Sequence, residues 1–180
     1  LGFAEAGIAT VDRGFIEVDT TTMKTSKDNV YALGDVVNTP GLAHVAYAEA
    51  IVAVKDILGE NPVPVDYGKV ANIVYAHPEI GWAGMSEEQA KEAGIDYEVR
   101  KHGWPGNGRS MIIGETEGMV KIIAEKNGPI IGFHIAGPWA SELMNGGYYA
   151  VNWEATPEDL AHLIHAHPTL AENIGETVIT

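Results

Sequence analysis

The sequence contains no cysteine, which excludes a disulfide framework and any thiolate metal site within these residues. It is also poor in positive charge. Eleven lysines and arginines stand against 25 aspartates and glutamates, a formal charge of −14. Phosphate backbones repel such a surface and no Lys/Arg stripe offsets it, so no nucleic-acid partner is expected. No apolar run approaches the roughly 18–20 residues that cross a bilayer, so no membrane partner is expected either. Leu1-Gly2-Phe3-Ala4-Glu5 has neither the basic nor the apolar region of a secretory signal. Glycines are plentiful, yet Gly103, Gly106 and Gly108 do not follow a strand and open a helix, so they are no dinucleotide fingerprint. The first residue is Leu1 and not methionine, which raises the expectation of a longer parent chain.

What remains is a globular composition, 46% hydrophobic and 20% charged over 180 residues. That is room for one domain, or one domain and part of another. Phe15-Ile16-Glu17-Val18 and Val30-Tyr31-Ala32-Leu33 read as strands, the second ending at Gly34-Asp35. A helix follows from about Leu42 to Leu58, with Leu42, Ala46, Ala50, Ala53 and Ile57 on one face. Gly59-Glu60-Asn61-Pro62-Val63-Pro64 is the best linker, because glycine and two prolines stop the helix and stiffen the connection. Beyond it, strands fit Val70–Tyr75, Ile80–Met85, Tyr97–Lys101, Ser110–Ile113, Met119–Ala124 and Ile130–Ile135. Asn127-Gly128 makes a hairpin turn between the last two. Ser86-Glu87-Glu88-Gln89 is a capping box opening a short helix. Helices are expected at Ala140–Asn152 and Pro157–Ile164, the latter with Thr156 as N-cap. Trp82, Trp104, Trp139 and Trp153 read as packing or interface aromatics. The fold class is therefore α+β, an antiparallel sheet with helices, preceded by the C-terminal tail of an α/β domain. The expected division is residues 1–62 and 63–180.

The densest chemical cluster is His162-Leu163-Ile164-His165-Ala166-His167-Pro168-Thr169-Leu170-Ala171-Glu172. An imidazole near neutral pKa suits taking and returning one proton, and a carboxylate on its far nitrogen fixes the tautomer and raises basicity. Glu172 follows His167 closely enough to return to the ring. Two other readings stand beside this one. Thr169-x-x-Glu172 is also a capping box, and the three histidines are a conceivable zinc set.

His165-Ala166-His167-Pro168-Thr169-Leu170-Ala171-Glu172 resembles the His-x-His-Pro-Thr-x-x-Glu signature of pyridine nucleotide-disulfide oxidoreductases, most closely the dihydrolipoamide dehydrogenase branch. Tyr31-Ala32-Leu33-Gly34-Asp35-Val36 resembles that family's second flavin-binding motif. Leu42-Ala43-His44 opens the helix as the corresponding stretch does there, although Val45 stands where lysine is common. His77-Pro78-Glu79 with Ser86-Glu87-Glu88-Gln89-Ala90, Asn107-Gly108-Arg109-Ser110, Gly118-Met119-Val120-Lys121 and His134-Ile135-Ala136-Gly137 through Ala140-Ser141-Glu142 continue the match in order.

The resemblance implies that His167 and Glu172 form the catalytic acid/base pair, with a cis His167–Pro168 bond. It assigns Gly34, Asp35, Leu42, Ala43 and His44 to FAD, with NAD+ as co-substrate bound by a domain outside these residues, as is the redox disulfide. Residues 1–62 become the end of an FAD-binding domain and residues 63–180 an interface domain. It further implies a homodimer whose active site is shared between subunits. Docking to the E2 component of a 2-oxoacid dehydrogenase complex, in the cytoplasm or the mitochondrial matrix, is also implied. Mercuric reductase, glutathione reductase and transhydrogenase share parts of the pattern, and a non-catalytic dimerisation module is the reading from another class.

Overall fold

A computed structural model describes residues 1–179. The chain forms two compact units, Leu1–Tyr67 and the residues from Gly68 onward.

In the first unit, β1 (Val18–Asp19) and β2 (Lys24–Thr25) pair as an antiparallel hairpin. Asp19 Oδ1 fixes its turn, accepting the Thr21 N–H at 2.9 Å and the Thr21 hydroxyl at 2.6 Å. Ile16, Met23, Ala32, Val37, Val52 and Ala53 form the core. Val30–Leu33, expected as a strand, makes only an isolated bridge from Tyr31 to Lys24. It runs beside β2 for only a few residues, the Val30 carbonyl accepting the Thr25 N–H at 3.0 Å and the Ala32 N–H donating to the Met23 carbonyl at 3.1 Å, a ladder too short to make a full strand. The helix α1 (Ala43–Ile57) buries Val45, Glu49, Val52 and Ala53. Of the five residues expected on that face only Ala53 is buried, and Ile57 is 60% exposed. An alanine-rich helix has two faces of similar polarity, and the one with the larger valines took the core.

The second unit is built on five antiparallel strands in the order β3-β4-β7-β6-β5. They are β3 (Asn72–Val74), β4 (Glu79–Gly84), β5 (Tyr97–Gly103), β6 (Met119–Glu125) and β7 (Ile130–Gly137). The helices are α2 (Glu87–Glu92), α3 (Gly108–Ile113), α4 (Ala140–Asn152), α5 (Pro157–Ala161) and α6 (Glu172–Ile179). Strand periodicity decides the faces. Phe133 and Ile135 are buried while His134 and Ala136 between and beyond them are not. With Val120, Ile122 and Ala83 they meet Met144, Ala150 and Val151 of α4 and Ile174 and Val178 of α6 in one apolar core. Full burial of such side chains contributes roughly 1.5–3 kcal/mol each before entropy is counted.

Two local features hold the helices in place. No side chain of α4's own N-cap residue caps it; instead Glu79 Oε2 on β4 accepts the Ser141 N–H at 2.9 Å. The pairing explains why the Pro78-Glu79 and Ala140-Ser141 motifs occur together. Residues Ser110–Ile113, expected as a strand, are the body of α3. Asn107 Oδ1 accepts the Ser110 N–H at 3.0 Å, and Gly114 closes the helix in the left-handed region at φ 75°. The β-branched pair Ile112-Ile113 suggested a strand, but capping at both ends outweighs it. Of the four tryptophans, Trp104 is fully buried, whereas Trp139 and Trp153 are 65% and 76% exposed. Among the described residues no helix is long and apolar enough to cross a membrane.

Candidate active site

The helix α5 ends at Ala161, and its C-cap residue His162 turns Nδ1 back to the Glu158 carbonyl at 2.7 Å. The chain then runs without regular structure to α6, through a cis peptide bond between His167 and Pro168. A second cis bond, between His77 and Pro78, had no counterpart in the sequence reading.

Glu172 is the first residue of α6, where a carboxylate is favoured by the helix dipole. Its two oxygens have separate partners. Oε1 lies 2.8 Å from His167 Nδ1, and Oε2 accepts the Thr169 N–H at 2.7 Å. An ionised carboxylate against Nδ1 requires the proton there, which leaves the lone pair on Nε2. The His167 side chain is 77% exposed and that of Glu172 only 18%. A sheltered carboxylate thus holds an open imidazole. The capping box is half formed: the carboxylate reaches back to Thr169, but the Thr169 hydroxyl donates to the Ala166 carbonyl at 2.7 Å. The three histidines do not come together, and among the described residues no group of three or more His, Asp or Glu is arranged to hold a metal ion.

The Thr169 N–H, and after it the His167 ring, hold the Glu172 carboxyl below the ordinary carboxylate range. A depressed folded value means that the stabilisation is present above the unfolded pKa of about 4.3. It is lost as pH falls below that, through the lower folded value. Thermal melts between neutral and strongly acidic pH are expected to show a shallower acid slope in Glu172→Gln than in the parent protein. Identical slopes would refute this.

In the first unit, Gly34, Asp35 and Val36 form one 3-10 turn with Asp35 exposed. A Cβ on Gly41 would lie 3.4 Å from Asp35 Oδ1. Leu42, Ala43 and His44 open α1, and its N-cap residue Leu42 makes no side-chain cap. The Thr39 hydroxyl is buried without a partner. Beneath the turn sits Glu49, fully buried, accepting the Gly34 N–H at 2.7 Å and the Tyr67 hydroxyl at 3.0 Å. Burial, then the Glu49 carboxylate, raises the Tyr67 hydroxyl above the ordinary phenol range. Glu49 escaped the sequence reading because a glutamate in the middle of a helix signals solvent. Its one clue was a place four residues from Val45, on the buried stripe.

A helix-backed antiparallel sheet that presents an imidazole held by a sheltered carboxylate defines an α+β domain equipped for proton transfer. The chain belongs to the pyridine nucleotide-disulphide oxidoreductases. The model of that family's dimerisation domain matches residues 70–178, and the pyridine nucleotide-disulphide oxidoreductase model matches residues 1–50. The chain is 45% identical over 177 residues to the mitochondrial dihydrolipoyl dehydrogenase of Canis lupus familiaris, covering 98% of this chain and 34% of that protein. The human enzyme is 44% identical over the same length. The chain thus spans about a third of the length of these relatives. Among solved structures, LpdA from Mycobacterium tuberculosis superposes with a TM-score of 0.91 at 28% identity, over 99% of this chain and 39% of its own. The HOCl-induced flavoprotein disulfide reductase RclA from Escherichia coli gives 0.91 at 26%, over 99% and 41%.

Proposed function

We propose that these residues are the C-terminal portion of a flavin disulfide reductase that oxidises dihydrolipoamide with NAD+. They supply its dimer interface and, in His167 and Glu172, its acid/base pair. The observation that carries this is the 2.8 Å contact between His167 Nδ1 and Glu172 Oε1 on an otherwise exposed ring. High identity to dihydrolipoyl dehydrogenases across both units supports the choice of substrate.

The overall reaction is dithiol plus NAD+ giving disulfide, NADH and a proton. His167 Nε2 takes a proton from one substrate thiol, so that the thiolate attacks a disulfide sulfur and the other sulfur of that disulfide leaves with the bond's electron pair. Glu172 holds the resulting imidazolium until the proton is passed on. No cysteine occurs here, so the attacked disulfide lies outside these residues. In the dimer we place it on the other subunit, with each subunit lending its imidazole to its partner.

FAD, when bound, carries the electron pair from the thiols to NAD+. The first unit fits it. An exposed Asp35 carboxylate and a buried, unpartnered Thr39 hydroxyl suit a polyhydroxyl chain. The N-terminus of a 15-residue helix at Leu42, Ala43 and His44 suits a ring edge that gains negative charge. Gly34 lets the turn carry Asp35. Docking to the E2 component of a 2-oxoacid dehydrogenase complex, in the cytoplasm or the mitochondrial matrix, completes the proposal.

The test is a flavin absorption spectrum and a dihydrolipoamide/NAD+ assay on the full-length protein. A bound flavin with dithiol-dependent NADH formation is expected; a flavoprotein inert to dihydrolipoamide would overturn the substrate.

A further inference from the structure

We propose that Asn107 is a positioning residue for the His167–Glu172 pair, an inference that rests on the acid/base reading above. Asn107 has no exposed surface, and its side-chain amide works at both ends. Oδ1 accepts the Ser110 N–H at 3.0 Å as the N-cap of α3. Nδ2 donates to the Thr169 carbonyl at 3.0 Å, 62 residues along the chain. The amide orientation is unambiguous, because an N–H needs an acceptor and a carbonyl needs a donor.

Capping uses the oxygen alone, and serine or aspartate caps about as well as asparagine. The amide nitrogen is surplus to that task, and it is spent on the loop that carries the acid/base pair. Thr169 is thereby held on both sides: its carbonyl by Asn107 and its N–H by Glu172 Oε2 at 2.7 Å. The other oxygen of the same carboxylate holds His167. The anchor is itself fixed to the sheet, since the Asn107 N–H donates to the Trp104 carbonyl at 2.9 Å. Trp104 in turn is buried, with Nε1 on the Ala136 carbonyl of β7 at 2.6 Å. The start of α3 also approaches the ring, because a Cβ on Gly108 would sit 3.9 Å from His167 Cε1. A continuous line of bonds runs from β7 through Trp104, Asn107, Thr169 and Glu172 to the imidazole. Within it the amide nitrogen of Asn107 sets where the loop stands.

The experiment uses the full-length flavin-loaded dimer carrying Asn107→Ser or Asn107→Thr, neutral residues that keep the cap and are too short to reach the Thr169 carbonyl. Dihydrolipoamide oxidation is expected to fall roughly tenfold to a hundredfold, the scale of a misplaced catalytic group. NADH oxidation by a quinone, which needs no thiol proton, should hold, and the melting temperature should fall by only a few degrees, the scale of one lost buried hydrogen bond. In a His167→Ala background neither substitution should lower dithiol turnover further, because the residue acts through that ring. Near-normal turnover in both variants overturns the proposal. So does an equal fold-loss in the His167→Ala background, or failure of both cap-preserving variants to fold, which would make Asn107 a stability residue. Full dithiol turnover in His167→Ala alone is a different result: it removes the acid/base reading itself.

Discussion

Dithiol oxidation by the full-length enzyme is expected to fall by about two decades or more when His167 becomes alanine, the scale of a lost general base. The geometry explains why no neighbour substitutes for it. His162 is turned back to the Glu158 carbonyl, and the ring of His165 lies against Gly175, where an added Cβ would meet it at 3.0 Å. Glu172 is held below the ordinary carboxylate range and is too weak a base to take a thiol proton at neutral pH. Flavin reduction by NADH, followed by stopped-flow, should be nearly unchanged because it involves no thiol. Reduction by dihydrolipoamide should become slow. A His167→Ala enzyme that turns over dihydrolipoamide at a near-normal rate would eliminate this histidine as the base.

The second large effect is on stability, and its sign is the reverse of what helix propensity gives. Gly147 lies in the middle of α4, where replacing glycine by alanine ordinarily stabilises by roughly 0.8–1.0 kcal/mol. Here a Cβ would stand 2.0 Å from Phe133 Cδ1 and 2.1 Å from Cγ. Carbon atoms pack at about 3.5–4.0 Å. Phe133 is completely buried and has no solvent into which to swing. Helix and sheet must separate or the ring must leave its rotamer, and overpacking of this kind costs about 1–3 kcal/mol. Gly147→Ala is therefore expected to be destabilising by about 2 kcal/mol in denaturant unfolding. Adding Phe133→Leu should recover part of the loss by making room. A Gly147→Ala protein as stable as its parent would show that the α4–β7 contact is looser than its geometry.

Elements whose signals are local were legible in the residue order. Ser86 with Gln89 forms the expected capping box, and Thr156 is the expected N-cap of its helix, with Asp159 completing a second box. The β6–β7 hairpin turns at Asn127-Gly128, and α4 runs from Ala140 to Asn152 as read. Each depends on a few adjacent side chains meeting their own backbone, so sequence spacing is sufficient. Ser110–Ile113 failed as a strand for the complementary reason. Strand-like composition describes a surface that fits a sheet, and only a neighbour decides whether there is one.

The proposed acid/base site divides along the same line. The residue order alone put His167, Pro168, Thr169 and Glu172 within reach of one another, and resemblance to a family singled them out from a capping box and a metal set. Spacing could not assign one carboxylate oxygen to the ring and the other to the Thr169 backbone, because that depends on the path of the chain into α6. Nor could it find Asn107 or Glu49, whose partners lie 62 and 15–18 residues away. Local sequence determines which groups meet their own backbone. Burial and long-range pairing arise only when sheet and helices close over them, and that closure holds one imidazole open to solvent above a sheltered carboxylate.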